Sequence, residues 1–135
     1  MTKSTIDVGG VTQYLIAFAN GGVSVMYTGY GFTTLADAKT AAIAYCDAQI
    51  VELGTQKTNY QAVVTALAGA PSGTHSIVDA FGDTITINEY SVSGKTYFVP
   101  ESDVTGESSR WTERIANIDA LVTKLGTDKT EINAL

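Results

Sequence analysis

His75 is the only histidine in the 135-residue chain and Cys46 the only cysteine. A nucleophile–base pair therefore has to be built on one of these two, because Ser, Thr and Cys nucleophiles need an adjacent base to be useful at neutral pH. His75 falls in a strand-like run with no motif around it and reads as an edge-strand histidine. Cys46 falls at helical spacing among apolar residues and reads as packing; a single cysteine also excludes an internal disulfide. Asp7, Asp79, Asp47 and Asp119 could supply paired carboxylates for acid–base work, but duplication supplies such pairs without any catalytic demand, and they read as solvated or capping residues. Zinc lacks ligands. Asp79, Asp83 and Glu89 do not have the spacing of a calcium loop. Gly29-Tyr30-Gly31-Phe32 lacks the third glycine of a phosphate-cradling loop. The tyrosines and Trp111 could line a pocket, yet most also fit alternating core positions. The expectation is a protein with no catalytic, metal or cofactor residues.

The elements that carry these residues are laid out twice. Leu53-Gly54-Thr55-Gln56-Lys57-Thr58 returns as Leu125-Gly126-Thr127-Asp128-Lys129-Thr130, 72 positions later. Sliding residues 1–63 over 73–135 without gaps gives eighteen identical pairs in sixty-three, among them Asp7/Asp79, Gly10/Gly82, Gly22/Gly94, Asp47/Asp119 and Lys57/Lys129. Ordinary residue usage would give about four. Apolar character persists where identity is lost, as in Phe18/Tyr90, Cys46/Ile118 and Tyr60/Ile132. Such self-similarity predicts a tandem duplication.

Each copy reads as strands followed by a helix. In the first, residues 5–8 form a short strand closed by Gly9-Gly10, and residues 14–19 and 23–27 flank Asn20-Gly21-Gly22, a strong hairpin signal. Residues 28–32, interrupted by Gly29 and Gly31, read as a strand end or loop. Thr33-Thr34 before Leu35-Ala36-Asp37 marks a helix start. Leu35, Ala38, Ala42, Cys46, Ile50 and Leu53 recur three or four apart as one apolar face. The second copy repeats the plan with strands over 75–81, 84–90 and 95–99, the middle one alternating so that one of its faces is wet. Its helix carries Trp111, Ile115, Ile118, Val122 and Leu125. The apolar phase continues past Gly54 to Tyr60, Val64 and Leu67, and past Gly126 to Ile132. The polar runs after both glycines favour a helix break there, with Gly54 as a left-handed cap. Gly69-Ala70-Pro71-Ser72-Gly73 reads as a linker.

Length suits one ordinary domain, and each half alone would be marginal, so a shared core is expected. The net charge of −6 argues against nucleic acid or an anionic membrane as the main partner. Residues 64–135 hold ten of the fourteen acids. Only 16% of residues are charged, a composition found where neighbours cover much of the surface. No apolar run approaches the ~20 residues of a membrane span. Met1-Thr2-Lys3-Ser4 leads into a strand-like pattern, so no leader segment is expected.

Leu125-Gly126-Thr127-Asp128-Lys129-Thr130-Glu131-Ile132-Asn133 resembles the Thr-Glu-Ile/Leu-Asn segments that recur in bacteriophage virion proteins, especially fibres and appendages. The low charge and richness in Thr, Ala and Gly are similar too. The strand–hairpin–helix opening also resembles the small hairpin-plus-helix fold of HicB-type antitoxins, although no basic DNA-binding segment is appended.

The sequence therefore predicts an α+β fold: an internal tandem duplication of a three-stranded antiparallel sheet plus helix, related by a pseudo-two-fold. The first copy is 1–63, a helical extension and linker 64–72, and the second copy 73–135. The resemblance implies a non-enzymatic structural subunit of a phage-like virion (capsid-associated, decoration or tail component), located in the virion and assembled in the host cytoplasm. Its partners would be copies of itself and other virion proteins, with no nucleic acid, membrane or cofactor. The alternative is a small binding module with a ligand or peptide cleft between the copies. Because the second copy reaches Leu135 where the first continues through 64–68, Ile132 and Leu135 are expected to lie partly bare and to form an interface. Deleting 131–135 is then expected to weaken assembly more than folding.

Overall fold

Two glycine-bearing turns of the same kind set the outer two-residue hairpins. In the computed structural model, which describes residues 1–20, 24–27 and 31–135, β1 (Thr2–Val8) turns through Gly9 and Gly10 into β2 (Val11–Asn20). Both glycines have positive φ, 61° and 83°, which the type I′ turn requires. β3 (Ser24–Tyr27) pairs with the far side of β2. The Asn20-Gly21-Gly22 turn lies mostly outside the described residues, as do residues 28–30. β1 starts earlier than residue 5 because its ladder continues to Thr2 opposite Ala17.

In the second half, β4 (Gly73–Val78), β5 (Thr84–Val92) and β6 (Lys95–Pro100) form another antiparallel sheet with β5 in the centre. Ser93 and Gly94, at φ 49° and 76°, make the β5–β6 turn. The β4–β5 turn is longer. Asp79 closes it by accepting the amides of Phe81 and Asp83 through Oδ1, at 2.8 and 2.9 Å.

The helices run through both glycines. α1 is Leu35–Ala68 and α2 is Val104–Ala134, the latter preceded by one tighter turn at Glu101–Asp103. The expected break at Gly54 and Gly126 does not occur. A glycine inside a helix costs only about 1 kcal/mol relative to alanine, and the apolar phase that crosses it is buried on both sides. The local signals that were expected to end the helix are absorbed instead: Thr58 and Thr130 donate their hydroxyls back to the carbonyls of Gly54 and Gly126. The start of α1 follows the sequence closely. Thr34 Oγ1 accepts the Asp37 amide at 3.1 Å and donates to its carboxylate at 2.7 Å, an N-terminal cap that satisfies one orphan donor.

The chain divides into two compact units that do not follow chain order. One comprises Met1–Leu53 with Ala120–Leu135; the other is Gly54–Asp119. Each holds one sheet, the N-terminal part of the helix that follows it and the C-terminal part of the other helix. The first core joins Ile16 and Phe18 of β2 to Ala38, Ala42 and Cys46 of α1 and Ile132 of α2. The second joins Tyr90, Val92 and Val99 of the sheet to Val63 and Leu67 of α1, with Trp111 and Val104 of α2 beside them. Within each unit the helix segments are antiparallel, as ion pairs mark: Asp47–Lys129 at 2.5 Å in the first and Lys57–Asp119 at 2.6 Å in the second. Among the described residues no helix is long and apolar enough to cross a membrane.

Candidate functional site

Strand register decides which residues face outward. Residues directly opposite one another share a face. In the first sheet Lys3 lies opposite Ile16 and Phe18 opposite Met26. An unbroken 72-residue shift would put His75 opposite Asn88 and Tyr90 opposite Phe98. Instead His75 lies opposite Ile87 and Tyr90 opposite Tyr97. Both flanking strands of the second sheet are slipped by one residue against the central strand, and a one-residue slip moves every side chain to the other face.

The consequence is that β4 and β6 are turned over while β5 keeps the facing of β2. Asn88, Tyr90 and Val92 of β5 face the helices with Tyr97 and Val99 of β6. The buried Asn88 donates its amide to the Tyr90 hydroxyl at 3.3 Å. The isoleucines of the alternating strand, Ile85 and Ile87, therefore point away from the core. They share that outer face with Ile77, His75, Glu89, Phe98 and Pro100. Ile77 is 48% exposed and Phe98 61% exposed, and Phe81 at the β4–β5 tip is 92% exposed. The alternation predicted one wet face; the structure makes it the apolar one. His75 Nε2 lies 2.8 Å from Glu89 Oε2, with the Phe98 ring edge-on to the imidazole at 5.8 Å. An imidazole paired with a carboxylate resembles part of a catalytic dyad; beside this one lie Ile87 and Phe98, and the nearby Ser72 hydroxyl is spent on the Glu89 carbonyl at 3.0 Å.

The remaining chemistry-bearing residues have structural partners. Cys46 is fully buried beside the first core. Burial, and then the charges of Asp128 and Asp47, push its thiol pKa up, away from the thiolate that a nucleophile needs. Asp47 and Asp119 are tied to Lys129 and Lys57. Asp7 Oδ1 accepts the Gly10 amide at 2.8 Å. At the start of α2, Arg110 is held by Asp103 and Glu107, which raise its pKa. Glu107 also accepts from the Trp111 indole at 3.0 Å. That fixes Trp111 for edge-on packing with Tyr60 and Tyr97, centroids 5.0 and 6.5 Å away. Tyr14 packs against the first core. No group of three or more His, Cys, Asp or Glu among the described residues is placed to hold a metal.

Of the candidate interface residues Ile132 and Leu135, the expectation for Ile132 needs correction. Ile132 is completely buried by its own chain, so it is not left bare. Leu135 packs against the same core, and its carbonyl accepts from Lys3 Nζ at 3.0 Å. Lys39 Nζ reaches the Asn133 carbonyl and the Met1 ammonium reaches Glu131. Met1, Lys3 and Lys39 thus reach over the end of α2, which was expected to lie partly bare.

One open groove of about 540 Å³ lies in the second unit. It is lined by Leu67 and Ala68 from the end of α1 and by Val104, Thr105, Ser108, Thr112 and neighbouring residues of α2. Its lining mixes apolar side chains with hydroxyls and the Glu113 carboxylate. Neither Tyr97 nor Trp111 lines it.

Comparisons with protein-family models, with curated proteins and with solved structures found no match.

Proposed function

We propose that the chain is a non-enzymatic structural subunit of a phage-like virion, working through protein–protein assembly. The observation that carries the assembly reading is the outward-facing apolar sheet surface around Ile77, Ile87 and Phe98. The largest contiguous apolar patch on a soluble protein is often the one on which a partner docks. The virion setting comes from the resemblance over residues 125–133 and from the low charge. Mass spectrometry of purified particles from the source tests it: the chain is expected at a fixed copy ratio to the major particle protein. Its absence from washed particles overturns the virion setting.

We infer in addition that the two βββα segments arose by tandem duplication. The support is that matched residues do matched work: Lys57 and Lys129 each hold the matched aspartate, Asp119 and Asp47. Cys46 and its counterpart Ile118 are both buried. An Asn59→Glu variant, which gives the first copy the residue found at the matched position of the second and is made at an exposed site, should melt close to the parent.

A small binding module is the second reading, and the groove beside Leu67 and Val104 favours it. A specific ligand recovered with the purified protein and displaced by Ser108→Trp would replace the assembly reading.

A further inference from the structure

We infer that two copies of the chain join by exchanging their second halves, residues 73–135 of each completing the cores of the other's residues 1–68. The inference rests on the assembly reading and names what one copy offers another; it makes no use of the outer sheet face. Three observations carry it. First, neither half closes its own core. The core around Ile16 and Phe18 of the first half includes Ile132, a fully buried residue of the second, with Leu125 and Leu135 beside it. The core around Tyr90 and Val99 of the second half includes Val63 and Leu67 of the first. The polar ties also run from half to half: Asp47 to Lys129, Lys57 to Asp119, Lys39 to the Asn133 carbonyl and Lys3 to that of Leu135. Each compact unit accordingly draws on both halves.

Second, little holds the crossing. The halves are joined through residues 69–72. The Gly69 amide donates to the Ala66 carbonyl at 3.1 Å, inside the first half. The Ser72 amide and hydroxyl donate to the Glu89 carbonyl at 2.7 and 3.0 Å, inside the second. Ala70 and Pro71 make no hydrogen bond among the described residues. Pro71 biases Ala70 toward an extended backbone, which suits a stretch running from one copy to the next. An exchanged pair keeps the core and ion-pair contacts of the closed chain and alters only the path of these few residues, which makes exchange a low-cost route to a dimer. Third, the cores choose the partner. Small Ala38, Ala42 and Cys46 accommodate Ile132, whereas its counterpart Tyr60 lies edge-on to Trp111 at 5.0 Å. Pairing two first halves would put Tyr60 where Ile132 sits and overpack that core. Pairing two second halves would leave Trp111 without Tyr60. A first half therefore takes a second half, its own or another copy's. A short linker presents a chain's own half at an effective concentration of ~mM. Closure wins for micromolar chain, and exchange competes as the chain concentration approaches that value.

Co-refolding two charge-reversed forms of the full chain tests this. One form carries Asp47→Lys with Lys57→Asp in its first half; the other carries Asp119→Lys with Lys129→Asp in its second. Either form alone sets like charges together at both pairs, whether closed or exchanged with itself. An exchanged pair of the two forms restores opposite charges at every pair. Refolded together at ~mM chain, diluted and read by sedimentation velocity, the mixture is expected to hold several-fold more dimer than either form refolded alone. Dilution does not erase the dimer quickly, because both cores must open first. Deleting Ala70 and Pro71 hinders closure and should raise the dimer fraction of micromolar chain about ten-fold or more. A chain cut between Ala70 and Pro71 at an inserted protease site needs none of these variants to fold. Its halves should stay together on sizing and melt at a temperature that rises with concentration. A mixture with no more dimer than its components, a shortened chain that folds as a monomer, or cut halves that separate would each overturn the exchange. If exchange fails in a chain that is nonetheless abundant in particles, the virion reading stands; exchange by a chain absent from washed particles overturns the virion setting alone.

Discussion

The two compact units use the same element types and fill their cores differently. In the first, the N-terminal part of α1 offers Ala38, Ala42 and Cys46, all fully buried, and small side chains let the β2 residues Ile16 and Phe18 approach the helix closely. In the second, the matching stretch of α2 offers Arg110, Arg114 and Ile118. There the space is taken by Trp111, wedged against Tyr60 and Tyr97, with the Arg114 guanidinium 4.4 Å over the indole. Matched positions thus carry unequal loads: Ile132 is a core plug, whereas its counterpart Tyr60 is a half-buried stacking partner. The lesson is that the matched ion pairs fix a common frame, while steric filling is free to diverge inside it.

The largest test of that contrast is Ile132→Ala. Removing a fully buried isoleucine costs about 2–5 kcal/mol, and the loss should appear as a clear fall in melting temperature. Tyr60→Ala should cost less, about 1–3 kcal/mol, because its ring is only partly withdrawn from water. Equal losses would mean that the two cores are loaded alike. Deleting residues 131–135 should behave like Ile132→Ala and lower the melting temperature sharply, rather than spare folding.

Gly54→Ala and Gly126→Ala come next. Both sites are helix interior, and an added Cβ meets no atom within 4 Å. Each substitution should stabilise by about 0.5–1 kcal/mol. A loss of stability at either site would show that the helix breaks there after all. The ion pairs should give the smallest effects. Asp47→Asn and Asp119→Asn remove pairs of similar geometry and exposure, so each should cost about 0.2–1 kcal/mol, and raised salt should reduce both. A marked inequality would separate the two frames.

Cys46 adds a pH test found only in the first unit. Its thiol pKa is raised on folding, so its contribution is whole below the ordinary thiol pKa. That contribution is lost as pH rises from the ordinary value toward the folded one, because the unfolded chain ionises first. Stability should fall on the alkaline side of that point, and Cys46→Ala should flatten the fall. Urea midpoints measured across alkaline pH read this directly.

Much of this frame was legible from residue types. Thr34 and Asp37 announce the α1 cap because their side chains satisfy donors that any helix start exposes. Gly9-Gly10 and Ser93-Gly94 announce their turns because few residues other than glycine accept positive φ. Lys57 and Lys129 were visible as matched, though not what they hold, since a surface cation has many possible carboxylates. The helix break at Gly54 and Gly126 was misjudged because a local propensity of about 1 kcal/mol is outweighed by burial of the apolar stripe on either side.

By itself the sequence determined the α+β composition, the order of strands and helices, the cap of α1 and the apolar stripe of each helix, because these depend on period and on neighbours along the chain. Only the tertiary structure decided the register of β4 and β6 against β5. The five-residue turn at 79–83 replaces the two-residue turn at Gly9-Gly10 and shifts β4 by one residue. With a side-chain period of two, that single step turns His75 and Ile77 outward, and the matching slip of β6 does the same for Phe98. Alternation along a strand states that two faces differ; which face meets the helices is fixed by pairing across strands, where the backbone hydrogen bonds are made.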